Sequence, residues 1–106
     1  MNLVDFKAAR YMTRGVQAEI NPILQVAMWS MIDEAIAKVQ KMDYLQVFEL
    51  KPIILKGYVK QQVVHRQEVP KHENNFVVTT GDTPINAKVF VIDSDDYVTM
   101  LLAEEY

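Results

Sequence analysis

The sequence predicts an α+β fold, with one long amphipathic helix packed on a curved, mainly antiparallel sheet of about five or six strands. Three stretches carry that expectation. Asn21 to Met42 has a helix start signal and an apolar stripe of helical period. Tyr44 to Leu50 alternates as a central strand does, and Ala87 to Ala103 reads as two β-rich runs around an acidic turn. A strand, a helix and then further strands suit one sheet wrapped on one helix, so the 106 residues are read as one domain, 1–106. No internal repeat or low-complexity segment divides them.

Taken in order, Met1 to Lys7 shows no period and is read as a loose arm or a first turn. Ala8 to Arg14 alternates Tyr11 and Thr13 against Arg10, Met12 and Arg14, a short strand, and Gly15 follows where a strand would bulge or turn. Val16 to Ile20 crosses to the helix. Asn21 is its N-cap and Pro22 its first residue, where a missing N–H costs nothing. Ile20, just before the cap, is placed to staple onto the first turn near Leu24. At about 100° per residue, Leu24, Met28, Trp29, Met31, Ile32, Ala35, Ile36, Val39 and Met42 gather on one side. Ser30, Asp33, Glu34, Lys38, Gln40 and Lys41 take the other. That stripe is too wide for a coiled-coil seam and suits the lid of a core.

In Tyr44 to Leu50, Tyr44, Gln46, Phe48 and Leu50 share one face, and Leu45 and Val47 leave the other far from polar. A strand covered on both sides is therefore expected to be central. Pro52 and Gly57 bracket a connection holding the apolar trio Ile53, Ile54 and Leu55, which must find cover or remain sticky. Tyr58 to Val69 is the longest candidate strand and is polar on both faces, which predicts an edge strand or one projecting past the sheet body; Pro70 ends it. Lys71 to Asn75 is expected to turn and Phe76 to Thr80 to return as a hairpin strand, before Gly81, Asp82 and Pro84 mark another loop. Ala87 to Ile92 and Tyr97 to Ala103 form the last hairpin, with Val98, Met100 and Leu102 on one inner face.

Composition excludes several classes. Without cysteine there is no disulfide frame and no cysteine-ligated zinc or iron–sulfur centre, which fits a reducing cytoplasm. The first residues lack the basic start and apolar run of a signal peptide, and the helix carries Asp33, Glu34, Lys38 and Lys41, too many charges for a membrane span. The net charge of −3 argues against a protein that coats nucleic acid, but the charge is uneven. Residues 51–81 hold five bases against two acids, and residues 82–106 one base against six acids.

Chemistry-bearing residues are sparse. His65 and His72 lack the spacing and third ligand of a zinc site and fit surface histidines better. Asp93, Asp95 and Asp96 lack the glycine and distant glutamate of a calcium loop and fit a solvated hairpin tip. Thr13, Arg14 and Gly15 have the makings of an anion site, with a structural Arg14–Glu19 or Arg14–Asp pair the plainer account. Lys51, Lys56, Lys60, Arg66 and Lys71, with Tyr58 and Phe76, have some look of a nucleic-acid surface, though no reading motif accompanies them. Met28, Met31, Met42 and Met100, four of the six methionines, match core positions, and Trp29 sits at the stripe's edge within reach of a polar partner.

The segments Tyr11 to Val16, Asp43 to Leu50, His65 to Pro70 and Ile85 to Tyr106 together resemble the family described as staphylococcal protein of unknown function, small proteins of Gram-positive bacteria. The resemblance covers most of the chain and implies a small cytoplasmic bacterial domain. It carries no known activity, so no catalytic residue follows from it. The expected function is a non-enzymatic interaction module that binds a protein partner or a second copy of itself. The candidate surface is Arg14, Lys60, Gln62, His65, Arg66 and Glu68. The alternative is a nucleic-acid or anionic-ligand binder using the basic strand 58–69, with an enzyme using His65 and Glu68 third. No metal, cofactor or membrane is expected.

Overall fold

The computed structural model describes residues 5–38 and 41–106. Among them are six strands: β1 (Ala9–Met12), β2 (Leu45–Leu55), β3 (Tyr58–Gln67), β4 (His72–Val78), β5 (Ala87–Asp93) and β6 (Tyr97–Leu102). Two helices, α1 (Arg14–Glu19) and α2 (Pro22–Lys38), lie between β1 and β2, and a short 3-10 turn covers Ala103–Glu105. The strands form one mixed sheet in the order β1-β6-β5-β2-β3-β4. Only the β1–β6 pair is parallel.

The long helix starts where its cap residues dictate. The Asn21 side-chain oxygen accepts the N–H of Ile23 at 2.7 Å, and Pro22 opens the first turn. Leu24, Met28, Met31, Ile32 and Ala35 are buried, and Trp29 and Ile36 are partly so. They pack with Val16 and Ile20 of the α1 region on one face of the sheet, where Phe48, Leu50, Val63, Val89, Val91, Val98, Met100 and Leu102 wait. Two layers around one apolar seam are what an amphipathic helix and a half-apolar sheet require. Arg10 lies over the Trp29 ring, 4.9 Å from its centre, and pairs with Asp33, so β1 is tied to the helix flank. Met42 lies beyond the helix and is buried there, whereas Val39, also expected on the stripe, falls outside the described residues.

Several segments depart from the sequence reading. Phe6, expected in a loose arm, is fully buried, and its N–H donates to the Asp93 carboxylate at 3.1 Å. Asp93 is accordingly no solvated tip residue: it also accepts the N–H of Asp95 at 2.8 Å. Thr13 does not continue a strand but caps α1, accepting the N–H of Val16 at 3.3 Å, so Gly15 is helical rather than a bulge. β2 runs straight through Pro52 to Leu55 and takes in the unplaced apolar trio. Its partnership with β5 ends at Leu50 opposite Ala87, so Pro52 removes no donor that a ladder on that side would use. The turn after β3 is at residues 68–71 and contains a cis Val69–Pro70 bond; Lys71 to Asn75 is mostly strand.

β3 is an interior strand, between β2 and β4, and not an edge. Its alternate residues Gln61, Val63, His65 and Gln67 are all buried. The polar side chains that suggested an edge are instead paired inside, as described below. The other expectation, a strand projecting past the sheet body, holds for its first residues. β3 meets β4 only from Gln61 onward and β2 meets β5 only up to Leu50. Beyond those points β2 and β3 have only each other, as a two-stranded ribbon closed by Lys56 and Gly57. Both turn residues have positive φ, 51° and 82°, as a two-residue hairpin loop demands.

Candidate interaction surface

The six residues singled out from sequence do not form one site. Lys60, Gln62 and Arg66, two or four positions apart on β3, share the face turned away from α2, while His65 points into the core. Arg14 sits on α1, at the opposite end of the strand order, beside β6. Arg66 binds Glu49 of β2 at 2.7 Å, and that guanidinium holds the Glu49 carboxyl below its usual range. Arg66 and Glu68, with Lys71, His72 and Glu73, also line a shallow hollow of about 190 Å³ by the β3–β4 turn.

His65 is 1 % exposed, which overturns its reading as a surface histidine. Its ring stacks on Phe48, 4.4 Å between centres, and its Nε2 meets the Gln46 side-chain oxygen at 2.7 Å. The Gln46 amide nitrogen is committed to the Asp43 carbonyl and the Gln67 side-chain oxygen, both at 2.8 Å. Its oxygen therefore faces His65, and the imidazole carries a proton on Nε2. Burial, then the nearby His72, push the His65 pKa down to about 4. Gln67 extends the network by donating to the carbonyls of Lys41 and Pro70 at 3.1 and 2.8 Å. Gln61 does the same for the other end, accepting the Ile85 N–H at 2.8 Å. This buried polar row anchors the connections around Asp43, Pro70 and Ile85 to the sheet. No buried side-chain nitrogen or oxygen among the described residues lacks a partner. Among the described residues His65 is hydrogen-bonded to Gln46 and to no carboxylate, and no three potential metal ligands converge.

Thr13 and Gly15, weighed as part of an anion site, instead hold the chain's own Glu105, without the Arg14 fork that reading used. That carboxylate accepts from the Thr13 hydroxyl at 2.6 Å, the Leu102 N–H at 2.8 Å and the Gly15 N–H at 3.3 Å. The Thr13 hydrogen bond leads in holding the Glu105 pKa below its usual value. A Cβ on Gly15 would come within 2.7 Å of the carboxylate, so the absent side chain makes the contact possible. Neither the expected Arg14–Glu19 pair nor an Arg14–Asp pair is among the ion pairs of the described residues.

The ribbon is the feature that sequence reasoning half found. Ile54 and Tyr58 are 73 and 69 % exposed, and Val59 and Leu55 are also open. Lys51, Lys56 and Lys60 surround them, with no acid between residues 51 and 60. Lys60 leans over the Tyr58 ring, 5.7 Å from its centre. The chain's extents of 46 × 28 × 20 Å describe an elongated body, as a projecting ribbon would give.

Residues 9–105 match the model of the family described as staphylococcal protein of unknown function. Among solved structures, the chain is similar to one described as the crystal structure of the protein of unknown function from Enterococcus faecalis. The two share 24 % identity and a TM-score of 0.78 over 99 % of this chain and 98 % of that one, a likeness of fold. No curated protein matches. No helix among the described residues is long and apolar enough to cross a membrane.

Proposed function

The chain belongs to the family described as staphylococcal protein of unknown function, and from that premise we propose that it is a non-enzymatic, cytoplasmic protein-interaction module whose contact is the β2–β3 ribbon. The observation that carries this is a ribbon that no other described element covers, with Ile54 and Val59 bare on one face and Leu55 and Tyr58 bare on the other. Scattered exposed apolar residues need no explanation, but a large apolar pair left bare on each face of one projection does. The lysines around it define the partner's chemistry as a protein with an apolar cleft and an acidic rim. A cysteine-free composition supports the cytoplasmic setting. Among the described residues nothing covers these side chains, which supports a contact with another chain.

Capture from a nuclease-treated bacterial lysate, with the wild type compared against an Ile54→Ser/Tyr58→Ser double variant, tests the reading. A protein retained by the wild type, lost by the double variant and released by salt is the expected result. Identical sets retained by both would sink it. The pairing of Lys60 with Tyr58 favours a second reading, a nucleic-acid or anionic-ligand binder. That reading predicts ribbon-dependent retention that nuclease abolishes.

A further inference from the structure

We infer that the free edge of β4 is a dimer interface, on which the same strand of a second copy pairs antiparallel. β4 ends the strand order, and all seven of its residues are in register with β3, so it presents a regular edge without a bulge. Edges that must stay single are guarded by lysine, proline or irregularity. His72 to Val78 contains none of these, and Glu73 is its one acid or base of fixed charge. The opposite edge, β1, is short, and its Arg10 is held to Asp33 and Trp29.

The flank of this edge is apolar. Phe76 and Val77 are 38 and 46 % exposed, and an apolar groove of about 380 Å³ runs between β4 and the helix residues Ala27, Ser30 and Met31. Ile23, which the helical period places on the same side of α2, is exposed as well. Small residues at Ala27 and Ser30 leave room for a second helix to approach. Glu34 at the groove is already bound to Lys38 at 2.7 Å, so nothing there selects a charged ligand.

The strand is complementary to itself. Antiparallel pairing centred on Asn75 sets Glu73 opposite Val77 of the second copy, Asn74 opposite Phe76 and His72 opposite Val78, with no like charges facing. Asn75 donates its backbone N–H to the Asn74 side chain at 3.0 Å, a local stand-in for a strand partner. A twofold axis at Asn75 continues the sheet across both copies and covers Phe76 and Val77 on each, the isologous arrangement of most dimers.

Sedimentation of the full chain over micromolar to millimolar concentration reads the outcome, with hydrogen exchange of the β4 amides alongside. The expected result is the mass of two chains and β4 protection that rises with concentration. Val77→Glu places a carboxylate against Glu73 of the second copy twice by symmetry and should weaken the dimer about tenfold. Val77→Lys meets the same Glu73 with opposite charge and should keep it. A chain that stays monomeric throughout overturns the inference, as does a dimer weakened equally by both substitutions. A dimer that ignores both and dissolves in the Ile54→Ser/Tyr58→Ser variant also overturns it and moves the contact to the ribbon.

Discussion

The two halves of the β2–β3 hairpin share one continuous ladder and have opposite surroundings. From Gln61 to Gln67 the strand lies inside the sheet, and its polar row of Gln61, His65 and Gln67 is buried. From Ile53 to Lys60 the ribbon stands clear, and its apolar residues Ile54, Tyr58 and Val59 are bare. Side-chain hydrophobicity alone would have assigned these halves the other way round. What decides is coverage by α2 and by the neighbouring strands, provided each covered polar atom finds a partner, as those of the buried row do. The same backbone pairing thus supports a covered half and a half that the other described elements leave bare.

The widest separation between the halves should appear in stability. Phe48→Ala, in the inner half's core and against the His65 ring, is expected to cost about 3–5 kcal/mol, because a fully buried phenyl leaves a cavity. Ile54→Ala on the ribbon should stay within about 0.5 kcal/mol of wild type. Urea unfolding monitored by Trp29 fluorescence measures both, and a ribbon change as costly as the core change would erase the distinction.

Acid should reach the inner half next. The His65 pKa falls from its ordinary 6.5 to about 4 on folding, so the unfolded chain takes up a proton that the native protein refuses. Stability is therefore complete above pH 6.5 and declines as the pH falls toward 4, by at most about 3 kcal/mol. Glu49 and Glu105, whose carboxyls are lowered, lose their stabilisation at more acid pH than their ordinary value of 4.5. His65→Gln keeps a side-chain donor within reach of Gln46 and removes the titration, so its stability should be flatter between pH 6.5 and 4. Equal slopes in the two proteins would show that His65 does not titrate against folding.

How much of this was legible depended on the range over which each signal acts. Asn21, Pro22 and the stripe from Leu24 to Ile36 announced α2 because cap and period are local. The β5–β6 hairpin was readable from its acidic turn, a β3–β4 hairpin was expected but its turn was placed too late at Lys71 to Asn75, and Gln46 was correctly placed on the Phe48 face although polar. The burial of His65 was not, because its partner lies on another strand and an alternating polar row also describes a solvated edge. The proline within β2 read as a strand end, since nothing local says that the β5 ladder has already stopped. With six residues α1 has no period to detect, and the Glu105 that completes its start lies 92 positions from Thr13. Of the proposed surface, the lysines and apolar trio were visible, but not that they stand together on a ribbon.

The smallest effect concerns the ribbon alone and sharpens the contrast most. Amides from Ile53 to Leu55 and Tyr58 to Lys60 are paired only within the hairpin, so hydrogen exchange there needs only the ribbon to open. Amides from Gln61 to Gln67 lie between two strands beneath the helix layer and should exchange only with global unfolding. The Ile54→Ser/Tyr58→Ser variant should raise exchange in the first group and leave the second unchanged, with global stability within about 0.5 kcal/mol of wild type. Uniform protection along β3, or a global loss in that variant, would mean that the ribbon supports the fold after all. In that case its exposed side chains would no longer point to an external partner.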